Sequence, residues 1–304
     1  MKKNNTIFDC FVFFNELDIL DIRLNTLGPL VDYFVLVEST HSFTGQPKPL
    51  VYDENKARFS RFHDKIIHII VDDMPRDAQS TFVREAHQRS AIGRGLKMAA
   101  PDDLIIVSDV DEIPKPDALR GALRTAAGRI TYFEGVYYHF FLNWRLIGRK
   151  DLMTSRMIEY KNFQDGWLLR TTKGRRSASL PSWAEYLIWL PYAARRHKAF
   201  LRRHIRRDGC WHFSFMQGPD EIRRKLSAYK ATNRLSLKDL RPEAVEERIS
   251  QRQSMFGGEI EVVGLDEMPE YVQEHPRKFK RLIDPDGMSA SPPSTNAAHS
   301  WKTR

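Results

Sequence analysis

The stretch of the sequence best suited to chemistry is DDLIIVSDVDEIPKP, residues 102 to 116. The apolar run 104–107 leads directly into three carboxylates, Asp109, Asp111 and Glu112, and a proline follows. Like charges this close repel one another, so a fold keeps them together mainly where a metal ion or a cationic partner offsets the repulsion. An Asp-x-Asp after a buried strand can hold a divalent ion, which in turn holds a diphosphate. The alternative is that the acids only cap or begin the following helix.

Two further segments carry side chains of interest. The segment REAHQR, residues 84 to 89, places Arg84 and Arg89 on one helical face, where two guanidinium groups could grip phosphate oxygens. An exposed face with an intrahelical ion pair explains the same residues. In DGCWHFSF, residues 208 to 215, His212 lies on a predicted strand and could complete a Mn²⁺ site, or it could be an ordinary half-buried histidine.

The elements that position these residues alternate between strands and helices. Leucines recur at helical spacing from Leu17 to Leu27, and a second helix, with Phe82, Ala86 and Leu96 as its inner face, precedes the acidic cluster. Alternation of this kind predicts an α/β fold with a mainly parallel sheet, flanked by helices, whose ligands bind beyond the carboxyl ends of the strands. The predicted strands are 7–14, 33–38, 66–71 and 104–108.

Composition is that of a globular protein with an attraction for anions. The chain has 304 residues, of which 41% are hydrophobic and 11% aromatic, and its formal net charge is +9. Two cysteines exclude a disulfide scaffold. The apolar start is broken by Asp9 and Glu16, so we interpret it as the first strand and not as a signal peptide, and no transmembrane helix is expected.

The second half of the chain is harder to interpret. We expect one domain over residues 1–283 and a disordered tail over 284–304, which is rich in Ser, Pro and Asn. After the aromatic stretch RITYFEGVYYHFFLNWRL, which predicts one or two strands, residues 145–210 are expected to be irregular. A strand at 211–215 and helices at 219–233 and near 242–255 are predicted to follow.

Several blocks in the same order resemble glycosyltransferase family 17. They are FDCFVFFNELDILDIRLNTL, VDYFVLVESTHSFTGQPKPL, KIIHIIVDDMP, REAHQRSAI, IIVSDVDEIPKP and WHFSFMQGPDEIRRKLSAY, and they extend from about residue 7 to 232. The resemblance implies a single GT-A-like, Rossmann-like domain, with residues 145–210 as a variable acceptor-side segment. It also implies a nucleotide-sugar donor, with UDP-GlcNAc as the first expectation, a Mn²⁺ or Mg²⁺ ion, and inversion at the anomeric carbon.

The same resemblance implies roles for individual residues. Donor contacts are expected from residues at the first strand's end, from the helical arginines and from the first acid of the motif, namely Phe14, Asn15, Glu16, Arg84, Arg89 and Asp109. The expected metal ligands are Asp109, Asp111 and His212.

The general base is expected to be a carboxylate within reach of the acceptor hydroxyl. Candidates are Glu134, Asp165 and Asp208, and we favour Asp165. The last two stand in Asp-Gly pairs beside tryptophan, where an apolar wall could raise a carboxylate pKa. An ordinary Asp-Gly turn accounts for each of them equally well.

Other functions stay open at this point. Residues 183–207 combine Trp and Leu with seven basic residues, so a helix there could lie on an anionic membrane, or it could pack on the domain with a solvated basic face. A nucleotidyltransferase would use the same acids and metal. A non-catalytic nucleic-acid or membrane binder would use the arginines but leave the acids unexplained, so no nucleic-acid partner is expected. The expected partners are a UDP-sugar and a saccharide acceptor, and the expected location is cytoplasmic, with peripheral attachment to the inner face of the membrane as an open alternative.

Overall fold

The computed structural model describes residues 5–78, 80–151, 154–171, 202–216, 218, 222, 241–255 and 257–288. They form one large twisted sheet with helices on both faces. The strands are β1 (Ile7–Phe13), β2 (Tyr33–Ser39), β3 (Ile66–Val71), β4 (Leu104–Asp109), β5 (Glu112–Pro114), β6 (Arg129–His139), β7 (Trp144–Asp151), β8 (Arg156–Glu159), β9 (Arg202–Ser214) and β10 (Ile260–Val262).

The helices join and cover these strands. The described α-helices are α1 (Leu17–Leu27), α2 (Val51–Asn55), α3 (Thr81–Ser90), α4 (Pro116–Leu123), α5 (Gly166–Thr171), α6 (Pro242–Ser250) and α7 (Glu270–Glu274). Short 3₁₀ segments extend α2 and α3, at Lys56–Phe62 and Ala91–Gly95. None of the helices in the described part of the chain has the length and apolarity needed to cross a bilayer.

The N-terminal half confirms the predicted parallel arrangement. Strands β3, β2, β1 and β4 are neighbours in that order and all run parallel. The apolar runs of β1, β2 and β4 are buried on both faces, as β-α-β connections require, whereas the edge strand β3 is only partly buried. Helix α1 buries its leucines against one face, while α3 and α5 cover the other.

The rest of the sheet is mixed, so the expectation of a mainly parallel sheet is wrong there. Strand β8 pairs antiparallel with both β4 and β6, and β7 pairs antiparallel with β6 and β10. Residues 145–210, expected to be irregular, supply β7, β8, α5 and β9 wherever they are described. The sequence signal was weak because β9 pairs parallel with β6 residues that lie more than 70 positions earlier in the chain.

Two finer predictions are also corrected. Phe82 does not face inward, since it is 59% exposed, whereas Gln88 and Arg89 of the same helix are buried. Residues 202–207 of the proposed membrane helix form a strand instead. The remainder of that segment, 183–201, and most of the predicted helix 219–233 lie outside the described residues.

The described structure continues to Met288, past the expected domain end at 283. The Asp284 carboxylate accepts a hydrogen bond from the Trp144 indole at 2.5 Å, and its backbone amide donates to Asn143 Oδ1 at 2.9 Å. The rest of the predicted tail, 289–304, lies outside the described residues.

Candidate functional site

The carboxyl ends of β1, β2 and β4 meet at one edge of the sheet. Because these strands are adjacent and parallel, the turn after β4 lies beside the turn after β1. The turn after β4 contains the acidic cluster Asp109, Asp111 and Glu112. The arginines and acids described next converge on this edge or lie on the helices that cover it.

A buried arginine of α1 shapes the acidic turn from beneath. Arg23 is fully buried and forms a two-pronged ion pair with Asp9 of β1, at 2.7 and 2.5 Å. Its Nη1 also donates to the backbone carbonyls of Asp109, Val110 and Glu112 at 2.8–3.2 Å. Arginine is suited to this position because its planar group offers five donors in a fixed geometry. The path of the acidic turn is therefore set by Arg23.

Asp109 is clamped between two further arginines. Arg89 of α3 donates to Oδ1 at 2.5 Å, and Arg170 of α5 donates to Oδ2 at 3.2 Å. Burial by itself would raise the pKa of the Asp109 carboxyl, but the charges of Arg89 and Arg170 outweigh burial and hold this pKa well below its usual range. Asp109 is therefore ionised at neutral pH.

Glu112 lies deeper than Asp109 and shares its partners. Its side chain is fully buried, Oε1 accepts from Arg170 at 2.5 Å, and Oε2 accepts from the Asp109 backbone amide at 3.0 Å. Burial raises the pKa of Glu112, and the charge of Arg170 offsets this rise only in part. Beside it, burial and the positive charge of Arg170 lower the pKa of the Arg156 guanidinium to about 9.

Asp111 and His212 form a separate pair at the front of the turn. Strands β5 and β9 place Glu112 opposite His212, and Asp111 Oδ1 lies 3.9 Å from His212 Nε2. The imidazole packs against the Tyr137 ring, with centroids 4.4 Å apart. Its Nδ1 is buried and has no hydrogen-bond partner among the described residues.

These residues can be compared with what a divalent ion needs. Both Asp109 oxygens already accept from arginines, whereas Asp111 and His212 face each other at a separation longer than a hydrogen bond. A bound Mg²⁺ lies about 2.0–2.1 Å from its oxygen ligands, so atoms 3.9 Å apart can share one ion. Within the described part of the chain no group of three His, Cys, Asp or Glu side chains could hold a metal. The arrangement fits two protein ligands, with substrate oxygens and water completing the shell.

One of the expected nucleoside contacts, Phe14, lines a small pocket at the carboxyl end of β1. Phe14 borders it together with Ser42, Phe43 and Lys48, and the Lys48 ammonium lies 5.5 Å from the centre of the Phe14 ring. Burial lowers the pKa of Lys48, and nearby Glu38 opposes this effect.

The other two residues of this group have local roles in the turn after β1. Glu16 is 6% exposed, and its Oε2 accepts from the backbone amides of Phe14 and Asn15 at 3.2 and 3.0 Å. The Glu16 carboxylate therefore holds the turn itself. Whether Asn15 or Glu16 also contacts a nucleoside stays a prediction.

Arg84 and Arg89 contact different groups of the protein. Arg84 donates to the backbone carbonyls of Pro75 and Arg76 at 3.1 and 2.9 Å, which fixes the loop before α3. Arg89 is buried and bridges Glu85 and Asp109. A diphosphate contact by either residue stays a prediction.

The three candidate bases lie in two different places. Asp165 precedes α5 and accepts from the Leu168 amide at 3.0 Å, so it is an N-cap on the face that carries Arg170. Asp208 pairs with Lys115 at 2.8 Å, and its backbone amide donates to Glu134 at 3.2 Å. The Lys115 ammonium lies 5.3 Å from the centre of the Trp211 ring. Trp211 and His212 are consecutive residues of β9, so their side chains point to opposite faces of the sheet. Asp208 therefore belongs to the other side of the sheet.

Sequence reasoning missed Arg23, Arg156 and Arg170. A signal existed for Arg23. Asp9 interrupts an apolar strand and Arg23 stands on the inner leucine face of α1, a pattern that indicates two opposite charges paired in the core. No comparable signal marks Arg170, because α5 is a six-residue helix in a segment without clear periodicity.

The fold and the site define an α/β protein with a charge-compensated acidic turn at the carboxyl ends of parallel strands, the usual place for ligands in such sheets. Residues 1–133 match the model of glycosyltransferase family 17, which confirms the resemblance seen in the sequence for this part of the chain.

Curated relatives agree with this family. The human protein named β-1,4-mannosyl-glycoprotein 4-β-N-acetylglucosaminyltransferase is 31% identical over 112 residues, which make up 34% of this chain and 21% of that protein. The rat and mouse proteins of the same name are 31% and 30% identical over the same length. The similarity thus spans about a fifth of the relatives' length.

Solved structures offer weaker likenesses. The inositol-1-phosphate CTP transferase of T. maritima has a TM-score of 0.38 at 10% identity, and covers 76% of this chain and 99% of its own. A second likeness is to the glucosyl-3-phosphoglycerate synthase of Mycobacterium tuberculosis, solved in complex with Mn²⁺, UDP-glucose and phosphoglyceric acid. Its TM-score is also 0.38, at 14% identity, and the match covers 74% of this chain and 80% of the synthase. Scores this low support no conclusion about fold or function.

Proposed function

We propose that this protein transfers a sugar from a nucleoside diphosphate to a hydroxyl of a saccharide acceptor. The observation that carries the proposal is the position of the family match. Residues 1–133 include β1, α1, β2, α3 and β4, which build the acidic edge, together with Arg23, Arg89 and the acidic turn itself. The similarity therefore falls on the elements that form the candidate site.

Within this proposal the donor lies across the carboxyl ends of β1 and β4. The pocket at Phe14 receives the nucleoside, and the diphosphate faces the acidic turn. N-acetylglucosamine is the proposed sugar because the relatives' names specify an N-acetylglucosaminyltransferase. UDP as the nucleotide is part of the same family-based proposal.

Asp111 and His212 would hold a divalent cation, Mn²⁺ or Mg²⁺. Such an ion offsets the negative charge that develops on a departing diphosphate. The chain's own contribution is preorganisation: Arg23 fixes the backbone of the turn, while Arg89 and Arg170 keep Asp109 ionised and immobile. Asp109 thus acts in the proposal as an anchor of the turn, and Asp111 as the metal-facing acid.

Asp165 remains our proposed base, since it is the one candidate at the start of α5, the helix that also carries Arg170. The acceptor hydroxyl would lose its proton to this carboxylate as it attacks the anomeric carbon and the sugar–diphosphate bond breaks. Inversion at that carbon follows from a single displacement of this kind. Asp208 and Glu134 would then serve another purpose on the opposite face.

Donor turnover without an added acceptor tests the proposal. We expect UDP release from UDP-GlcNAc in the presence of Mn²⁺ or Mg²⁺, and we expect Asp111→Asn and His212→Asn to abolish it while the fold is kept. Asp73→Asn is a matched control, because Asp73 is an exposed acid bound to Arg94 away from the turn. Pyrophosphate release from a nucleoside triphosphate, with no UDP released from any UDP-sugar, would identify a nucleotidyltransferase instead.

A further inference from the structure

A second cleft, of about 240 Å³, lies on the opposite face of the sheet. Successive strand residues point to opposite faces, so His212 faces the acidic turn while Trp211 and Tyr138 face this cleft's side. The sheet itself therefore separates the cleft from the candidate donor site. Its lining residues are Lys115, Val136, Tyr138, Arg145, Leu146, Ile147, Gly148, Asp208, Glu261 and Glu267.

One wall of the cleft is built by a bulge in β9. Pairing with β6 jumps from Phe133↔Arg206 to Gly135↔Cys210, so three residues of β9 stand opposite one residue of β6. At the centre of the bulge Asp208 has a φ of +48°, a left-handed conformation that is uncommon outside glycine but that Asp and Asn tolerate best. This geometry turns the Asp208 carboxylate into the cleft, where it meets the Lys115 ammonium at 2.8 Å.

The opposite wall combines an arginine with two glutamates. Arg145 of β7 donates to Glu261 of β10 at 2.7 Å and to Glu267 at 2.5 Å. The hydroxyl of Tyr138, a side chain only 1% exposed, reaches Glu267 through a long contact of 3.5 Å. Donors and acceptors thus alternate around the cleft, and Val136 and the half-exposed Ile147 supply apolar surface between them.

Charge and size restrict the ligand. Three lining carboxylates against two lining cations give this cleft a net charge of −1, although the chain as a whole carries +9. Phosphates and nucleic acids are disfavoured by this negative charge.

Pockets for drug-sized ligands measure roughly 300–1,000 Å³, so a cleft of 240 Å³ suits a smaller ligand. A neutral sugar ring matches: its hydroxyls both donate and accept, and its C–H face is apolar.

We propose that this cleft binds a neutral saccharide unit, independently of the donor site. Asp208, Glu261 and Glu267 accept from sugar hydroxyls, Lys115 and Arg145 donate to them, and Ile147 contacts the ring. The inference goes beyond the proposed transfer reaction, because binding here needs neither a donor nor catalysis. A saccharide held at this place would tether a larger glycan to the protein.

Titration of the full chain with neutral disaccharides, followed by saturation-transfer NMR and calorimetry, tests the proposal. The probes are N,N′-diacetylchitobiose, mannobiose, cellobiose and lactose, with inorganic phosphate as the anionic comparison. We expect at least one disaccharide to bind with a Kd of about 1 mM or tighter. Asp208→Ala and the cleft-filling Ile147→Trp should each weaken binding at least tenfold.

Ile70→Trp is the matched control, since Ile70 is similarly exposed at 40% but lies on the distant edge strand β3. It should bind saccharide like the wild type, and Ile147→Trp should bind UDP like the wild type. Failure of every disaccharide to bind, or unchanged binding by both cleft variants, would overturn the proposal. If the wild type binds a disaccharide but releases no UDP from UDP-GlcNAc, that result would count against the proposed transferase function and not against the saccharide cleft.

Discussion

Replacement of Arg170 by leucine tests whether the acidic turn depends on buried arginines. Arg170 bridges Asp109 and Glu112, and the substitution leaves the fully buried Glu112 carboxylate without this cation. Removing one partner of a buried ion pair costs about 3–5 kcal/mol. Loss of Arg170 also relieves repulsion toward Arg156, so we expect the lower end, about 3 kcal/mol. Total stabilities are typically about 5–15 kcal/mol, which makes such a loss large.

Urea unfolding followed by fluorescence and circular dichroism measures this loss. Arg94→Leu is the matched control, because Arg94 also forms a two-pronged pair with an aspartate, Asp73, but both side chains are exposed by more than a third. An exposed pair is worth about 0–1 kcal/mol, so this variant should be almost as stable as the wild type.

A double variant keeps the test informative if Arg170→Leu does not fold. Replacing a whole buried pair by apolar residues is often neutral, so Arg170→Leu with Glu112→Leu should lose less stability than Arg170→Leu alone. A loss below 1 kcal/mol for Arg170→Leu, equal to that of Arg94→Leu, would refute the reasoning about the clamped turn.

Three further predictions concern the same site. Asp165→Asn keeps a good N-cap, so stability should hold, while loss of the base should lower kcat by about 10²–10⁴; unchanged kcat would remove Asp165 from the mechanism. Gly166→Ala should destabilise the protein in thermal unfolding, because a Cβ would lie 2.3 Å from the Arg89 carbonyl oxygen; a stable variant would contradict the close packing of α5 on α3. Because the pKa of Asp109 is lower in the folded protein than in the unfolded chain, where it is about 4, the ionised carboxylate stabilises the fold above that pH. This stabilisation is lost as the pH falls below about 4, so the free energy of unfolding should decrease more steeply in acid for the wild type than for Asp109→Asn. Parallel acid profiles for the two proteins would contradict that assignment.

The parallel half of the fold could be predicted because its signals are strong. The runs IFDCFVF, YFVLVES and LIIVSD are buried on both faces, and a helix with leucines at regular spacing separates the first two, so length and apolarity were sufficient. The position of the acidic turn beside the turn after β1 followed from topology, since the carboxyl ends of adjacent parallel strands must meet.

The antiparallel half escaped prediction for physical reasons. Strand β9 begins RRHIRRDG, and Arg206 in this run has a partner distant in sequence, since it donates to the Gly121 carbonyl of α4. Such a run carries no apolar alternation, so it suggested a basic helix. Its bulge at Asp208 depends on pairing with β6 and has no local signature beyond Asp-Gly.

The candidate site was predictable in outline and not in its electrostatics. Clustered acids do require positive charge nearby, and the sequence allowed a metal or a cationic partner to supply it. The structure supplies Arg23, Arg89 and Arg170, and Arg170 comes from a segment whose pattern gave no reason to face the acids. Only tertiary packing decides which of the 48 Lys and Arg residues is buried beside which acid.

Calorimetric titration with UDP-GlcNAc tests the central claim most directly, performed in Mn²⁺ and in chelator, on wild type and on Asp111→Asn. We predict micromolar binding by wild type in Mn²⁺, and at least tenfold weaker binding in chelator or after the substitution. Equal affinity under all of these conditions, or no binding by wild type, would contradict a donor site at the acidic turn.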